Sequence, residues 1–212
     1  QELVNLLAQL RHCRGLLISL HGASAQTHET FSGVSGSFEE TVANIALATD
    51  AGLAVNISTV ITQQNLQELE QIAQLSVFLN AKGTIFNRYL LPNNHERKQL
   101  ATITLDNMIP SRSELRDAVA VIERLRNKLD GSHTIDYGPC IPQCFTQSSS
   151  VGCSAGTEFL VADSWGNVKP CTDAPLFCGN LITNTLEEVW LSKPMNQWRE
   201  MIPTGCSSCS AL

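Results

Sequence analysis

No apolar run in these 212 residues approaches the ~20 needed to cross a bilayer as a helix, so no membrane span is expected. Aromatics are few (6%), charged residues make up 16%, and there is no basic excess, the net charge being −6. A surface that neutralises phosphates needs such an excess, so nucleic acid is not an expected partner. None of the five histidines stands in H-x-x-x-H spacing, which withdraws support from a zincin-type hydrolase. Neither G-x-G-x-x-G nor a P-loop string occurs. The amino end, Gln1-Glu2-Leu3-Val4-Asn5, has no initiating Met and no basic stretch of a signal peptide. It reads as helix interior, so the expectation is a cytoplasmic fragment of a longer protein.

What is present is a chain that is 43% hydrophobic, enough for a packed core. Leu3 to Leu10 has the spacing of an amphipathic helix. Three runs follow that read as strands: the short apolar Gly15–Leu20, the β-branched Leu53–Ile61, and Gly83–Leu91. Helical spacing separates them. One stretch opens at Ser37-x-x-Glu40, a capping-box string, and ends at Gly52; another opens at Asn65-x-x-Glu68 and runs to about Phe78. Strands alternating with helices predict a parallel α/β sheet, and three strands make only part of a barrel. Ligands in such folds sit at the carboxyl ends of the strands. Those ends are Ser19–Ser24, Ser58–Thr62 and Asn87–Asn94. His21 stands at one of them, where it either meets a ligand or packs against a helix. Ser111–Leu129 predicts a long amphipathic helix, capped at Ser113 and stopped by Asp130-Gly131.

The pattern then changes, and a domain boundary is expected near residue 132, giving domains 1–131 and 132–212. Seven of the eight cysteines lie from Cys140 onward. Thr157–Ala162 and Val168–Cys171 flank a Ser164-Trp-Gly-Asn167 turn and predict a hairpin, with short helices near Thr185–Trp190 and Lys193–Met201. A chain with this much core needs no disulfide staples, so clustered thiols point to metal or an iron–sulfur cluster. Cys206-Ser-Ser-Cys209 offers a two-thiolate bite; Cys153 and Cys171 sit on either side of the Gly166 turn. A structural zinc or iron–sulfur interaction module and a thiol–disulfide oxidoreductase are the other readings. Cys178 reads as structural and Cys13 as no ligand.

The residues resemble a family. Ile18-Ser-Leu-His-Gly-Ala-Ser24, Thr27-His-Glu-Thr-Phe-Ser-Gly33 and Gly36-Ser-Phe-Glu-Glu40 resemble a stretch of radical SAM enzymes. The tail resembles their SPASM extension: Cys153, twelve residues, Gly166, four residues, Cys171, then Cys206 and Cys209. The resemblance implies a partial radical SAM βα barrel followed by a small Cys-rich α+β domain. It implies reductive cleavage of S-adenosylmethionine (SAM) to a 5′-deoxyadenosyl radical, which abstracts hydrogen from a peptide, a protein or a peptide-derived cofactor precursor. A flavodoxin or ferredoxin would be the reductant. SAM would meet Ser19 and His21, Thr59, and the strand from Asn87 to Leu91; His21 stands where the family often has Asp. Auxiliary [4Fe-4S] clusters would use Cys153, Cys171 and Cys144 (favoured over Cys140), and Cys206 with Cys209. The family's CX3CX2C loop, which holds the SAM-cleaving cluster, is absent from this sequence, and the next SPASM cysteine would fall past Leu212. Both ends are therefore expected to be cut, and this fragment alone to be inactive.

Overall fold

The computed structural model describes residues 2–10, 12–13, 15–90, 108–129, 131, 133–138, 141–146 and 153–201. Those up to residue 146 form one unit and those from residue 153 another.

The first unit is built on four parallel strands: β1 (Leu16–Ser19), β2 (Val55–Ile61), β3 (Gly83–Arg88) and β4 (Thr134–Tyr137), adjacent in that order. Their register aligns Ile18, Ile57, Thr84 and Ile135 in one row and Ser19, Ser58, Ile85 and Asp136 in the next. Successive side chains on a strand point to opposite faces. In β2 this gives a strict alternation: Val55, Ile57, Thr59 and Ile61 are buried, and Asn56, Ser58 and Val60 are half-buried. The buried face is covered by the helices that link the strands. These are α3 (Ser37–Asp50), α4 (Leu69–Phe78) and α5 (Arg112–Lys128). Ile45, Ala48, Val55 and Ile57 pack in one cluster; Ile61, Leu69, Phe86, Val119, Ile122 and Ile135 pack in another. Each fully buried aliphatic or Phe side chain contributes about 1.5–3 kcal/mol through removal from water. Along the opposite face Leu17 is 63% exposed, Ser19 is exposed, and Ser58, Ile85 and Asn87 are only partly covered. One dry and one open face are what position a site.

The parallel α/β reading holds, and so does the leading helix, α1 (Glu2–Gln9). A fourth strand, β4, joins the parallel sheet beside β3, and a helix not expected from the sequence, α2 (Ala25–Ser32), follows the loop after β1; Ser24 caps it by accepting the N–H of Thr27. Three local expectations are corrected. Ser37 is the first residue of α3, not its cap, because Gly36 holds the capping position at φ 80° with no side chain to offer. For α5 the cap is Ser111, in a full capping box with Glu114, and not Ser113. Asn65 caps nothing either: a short 3-10 turn, Leu66–Glu68, precedes α4, and the Asn65 amide is used elsewhere.

The second unit holds a three-stranded antiparallel sheet, β5 (Val161–Ala162), β6 (Asn167–Lys169) and β7 (Gly179–Asn180). The expected hairpin is β5–β6. Its turn is tied by the Asp163 carboxylate, which accepts the N–H groups of Trp165 and Asn167 at 2.9 Å each and the Asn167 side-chain amide. Gly166 takes φ 79°, and a Cβ there would stand 3.0 Å from both Asn180 Oδ1 and Ile182 Cγ1. Helices α6 (Leu186–Trp190) and α7 (Lys193–Arg199) follow, capped by Thr185 and Ser192. Val168, Cys178, Val189 and Met195 form the small core. Among the described residues no helix is long and apolar enough to cross a membrane.

Candidate functional site

The carboxyl ends of β1 and β2 are stapled together by side chains from the loops that follow them. Asn65, wholly buried, donates its amide to the carbonyls of His21 (2.9 Å) and Val60 (2.8 Å) and accepts the N–H of Thr62 (2.9 Å). Its donors and acceptor are thus all used, as burial requires. Glu68 holds the other side of the same loop. One carboxylate oxygen accepts the Ala23 N–H at 2.7 Å; the other accepts the hydroxyls of Ser24 (3.1 Å) and Thr27 (2.5 Å). A carboxylate at the start of α2 also complements the positive end of that helix.

His21 is packed, not free. Its ring lies 4.0 Å, centroid to centroid, from Phe31 and 6.0 Å from His28, both on α2. The N–H of Val60 donates to His21 Nδ1 at 3.2 Å, and the N–H of His21 donates to His28 Nδ1 at 3.1 Å. A ring nitrogen that accepts carries no proton, so both imidazoles are neutral with their proton on Nε2. Burial, and secondarily the charge His28 would carry, lower the His21 pKa to about 4. Burial also lowers that of His28, against a smaller opposing effect of Glu29.

Thr59 is fully buried on the helix-covered face, where its hydroxyl donates to the Leu20 carbonyl at 2.7 Å. Ser19 lies on the open face. So does Asn87, whose side-chain amide donates to Ser58 Oγ at 3.0 Å. Ser58, which the sequence gives only as the first residue of a strand-end stretch, is the β2 member of the row that contains Ser19; alternation along β2 sets it on the face opposite Thr59, and the register with β1 sets it beside Ser19. Leu91 lies outside the described residues. The resulting surface is a row of hydroxyl and amide groups on a sheet whose other side is dry. It can hydrogen-bond a polar ligand laid across the strands.

In the second unit Cys153 is exposed, Cys171 half-buried and Cys178 buried, all with free thiols; Cys144, in the first unit, is exposed and free. Cys153 opens into a cavity of about 330 Å³ that Ala155, Thr157, Trp198, Arg199 and Met201 also line. That wall is rigidly held: Trp198 Nε1–H donates to Ala155 O at 2.9 Å and Arg199 Nε–H to Gly156 O at 2.6 Å. Cys171 follows β6 and does not line this cavity. Cys178 sits in the core, where burial raises its thiol pKa and offsets the influence of Arg199. Cys206 and Cys209 lie outside the described residues, as does Cys140. Among the described residues no three His, Cys, Asp or Glu side chains are gathered closely enough to hold a metal. The donor chemistry nevertheless suits an iron–sulfur cluster, since Cys153 and Cys171 are unpaired thiols on short, well-tied segments. The string Gly152-Cys-Ser-Ala-Gly156 also matches nucleophile-elbow spacing. Ser154 starts a turn rather than a helix, its carbonyl accepting the N–H of Thr157 and Glu158, and the sequence has no histidine after His133. Among the described residues of this unit there is no histidine to serve as base for Ser154.

Comparison with known proteins agrees. Residues 153–210 match the family described as SPASM, an iron–sulfur cluster-binding domain. The chain is 26% identical to the AdoMet-dependent heme synthase of Methanosarcina barkeri over 190 residues, which covers 82% of this chain and 52% of that protein. It is 25% identical to the PqqA peptide cyclase of Rhizobium meliloti, covering 91% of this chain and 51% of the relative. Among solved structures, Streptococcus suis SuiB bound to S-adenosylmethionine superposes with a TM-score of 0.70 at 15% identity, over 99% of this chain and 50% of SuiB. The chain spans about half the length of the relatives it matches. Residues 153–210 thus match an iron–sulfur cluster-binding domain family, and the chain as a whole is similar to S-adenosylmethionine-dependent enzymes and shares the fold of SuiB.

Proposed function

We propose that the intact protein cleaves SAM reductively and uses the 5′-deoxyadenosyl radical to abstract hydrogen from a peptide, a protein or a peptide-derived cofactor precursor. The observation that carries this reading is the open polar face at the stapled ends of β1 to β3, in a chain whose tail matches an iron–sulfur domain. Ser19 and Asn87, with Ser58, meet SAM from that face; His21 and Thr59 support it from the packed side, and Leu91 extends the β3 contact. The SAM-handling half covers residues 1–131 together with β4, and the cluster-bearing half the SPASM match. Cys153, Cys171 and Cys144 hold one auxiliary cluster, and Cys206 with Cys209 contribute to a second. When bound, such clusters supply low-potential electron transfer. This chain's own residues orient SAM along the polar face. A flavodoxin or ferredoxin serves as reductant in the cytoplasm, and neither a membrane nor nucleic acid takes part.

Relatives that are peptide cyclases support the peptide substrate; the heme synthases support a second reading, chemistry on a tetrapyrrole. Anaerobic purification of the full-length protein with iron, sulfide and zinc analysis tests the core of the proposal. Iron with sulfide, SAM-dependent release of 5′-deoxyadenosine under reduction, and loss of about one cluster in each of Cys153→Ala and Cys171→Ala but not Cys13→Ala are the expected results. Zinc in place of iron would move the protein to the interaction-module reading. A metal-free protein with a reversible CxxC disulfide would move it to thiol–disulfide exchange. Radical-dependent change in a supplied peptide, and not in a tetrapyrrole, decides between the two substrates.

A further inference from the structure

The joint between β1 and β2 holds two imidazoles, of which the reading above uses only His21, as a support on the packed side. His21 follows the end of β1, and its ring is closed in by Phe31 and His28; Phe38 lies 6.0 Å from His28 on the far side. The two rings are linked in series. Val60 N–H donates to His21 Nδ1, and His21 N–H donates to His28 Nδ1. The first bond crosses from the loop after β1 to β2, and the second ties that loop to α2. Val60 is in turn the register partner of Asn87, whose amide holds Ser58. The chain of contacts therefore runs from α2, through two neutral rings, to the peptide that sits between the two open-face polar groups.

We propose that His21 and His28 are positioning residues, a neutral two-ring clasp that sets the β2 end so that Ser58 and Asn87 present their polar groups to SAM, and that neither imidazole touches SAM. Three features support it. Both Nδ1 atoms are already committed to backbone donors. His21 is 9% exposed and His28 4%, which leaves little ring surface for a ligand. The other groups around the loop are also committed: Glu68 to Ala23, Ser24 and Thr27, and Asn65 to His21 O and Val60 O. The proposal rests on the reading that this face takes SAM.

The test compares two isologous changes in the full-length, cluster-loaded protein. In His21→Asn the side-chain oxygen stands about where Nδ1 stands and can accept the Val60 N–H; in His21→Gln the acceptor lies one bond farther out. Both lose the ring contact with Phe31, so their difference isolates the accepting atom. Amide hydrogen exchange at Val60 should stay within about threefold of wild type in His21→Asn and quicken about tenfold in His21→Gln, as loss of one hydrogen bond predicts. The SAM dissociation constant should follow the same pattern. Equal exchange in the two variants, or SAM binding that ignores the difference, overturns the clasp. Imidazole 15N spectra of the wild type need no variant: two neutral rings protonated at Nε2 are expected, and a proton on His21 Nδ1 overturns the proposal. If the wild type binds no SAM, the functional reading fails and the positioning role with it, while Val60 exchange and the ring spectra still show whether the contact exists.

Discussion

The buried amide of Asn65 donates to the carbonyl oxygen of His21 at 2.9 Å, across 44 residues of sequence. The same nitrogen reaches the Val60 carbonyl, so one side chain joins the ends of two parallel strands. Asn65→Ala leaves two carbonyls and the Thr62 N–H without their partner inside the fold. A loss of about 3 kcal/mol is expected, since each unsatisfied buried group costs ~1–3 kcal/mol and relaxation recovers part. Asn65→Asp should do no better, because it keeps the acceptor for Thr62 but turns two donor contacts into oxygen against oxygen. Urea unfolding monitored by circular dichroism measures both; an Asp variant as stable as wild type would contradict the bonding.

Phe86 and Leu17 make opposite predictions on one sheet. Phe86 is fully buried against α5, whereas Leu17 is 63% exposed on the other face. Phe86→Ala should cost about 3–5 kcal/mol through lost burial and a residual cavity. Leu17→Ser should change stability by less than ~0.5 kcal/mol. The denaturant midpoints of the two variants check which face is dry.

Acid should loosen the β1–β2 joint before it unfolds the rest. The His21 pKa is about 4 in the folded protein against 6.5 for the free group, and that of His28 is also lowered. Between these values the unfolded chain binds protons that the folded one refuses, so stability is full above about pH 6.5 and falls as the pH drops toward 4. His21→Asn, which has no proton to take up there, should give a flatter curve of urea midpoint against pH. Parallel curves for the two proteins would show that His21 is not buried as a neutral ring.

Thiol reactivity should rank with burial and proton affinity. Cys144 and Cys153 are exposed, Cys171 is half-covered, and Cys178 is 4% exposed with its pKa raised by burial. In the cluster-free protein, iodoacetamide followed by peptide mapping should label Cys144 and Cys153 first, and Cys178 only on unfolding. Rapid labelling of Cys178 in the folded state would remove it from the core of the second unit.

Much of this architecture was legible from local pattern. The apolar run ending at Ser19, the β-branched run ending at Ile61 and the helical spacing between them announced alternating elements. Gly166 marked the hairpin turn, because only a residue free of Cβ enters that conformation without crowding Asn180 and Ile182. The spacing of Cys153, Gly166 and Cys171 pointed to the domain that the family comparison finds. These are short-range signals, in which backbone sterics or covalent spacing leave few alternatives.

Residue roles at the site depended on tertiary structure. Thr59 and His21 were placed in the ligand set by their position at strand ends, but a strand end does not say which way a side chain points. The sheet's packing against its helices turned Thr59 inward, and α2, hidden in sequence because its apolar spacing is weak, enclosed His21. Sequence by itself announced most of the elements and the cysteine domain of the tail, since periodicity and cysteine spacing are local. Only the fold decided that Asn65 joins two strands and that Ser58 shares the open face with Ser19. Hydrogen bonds and burial across some forty residues are set by packing, which no local pattern encodes.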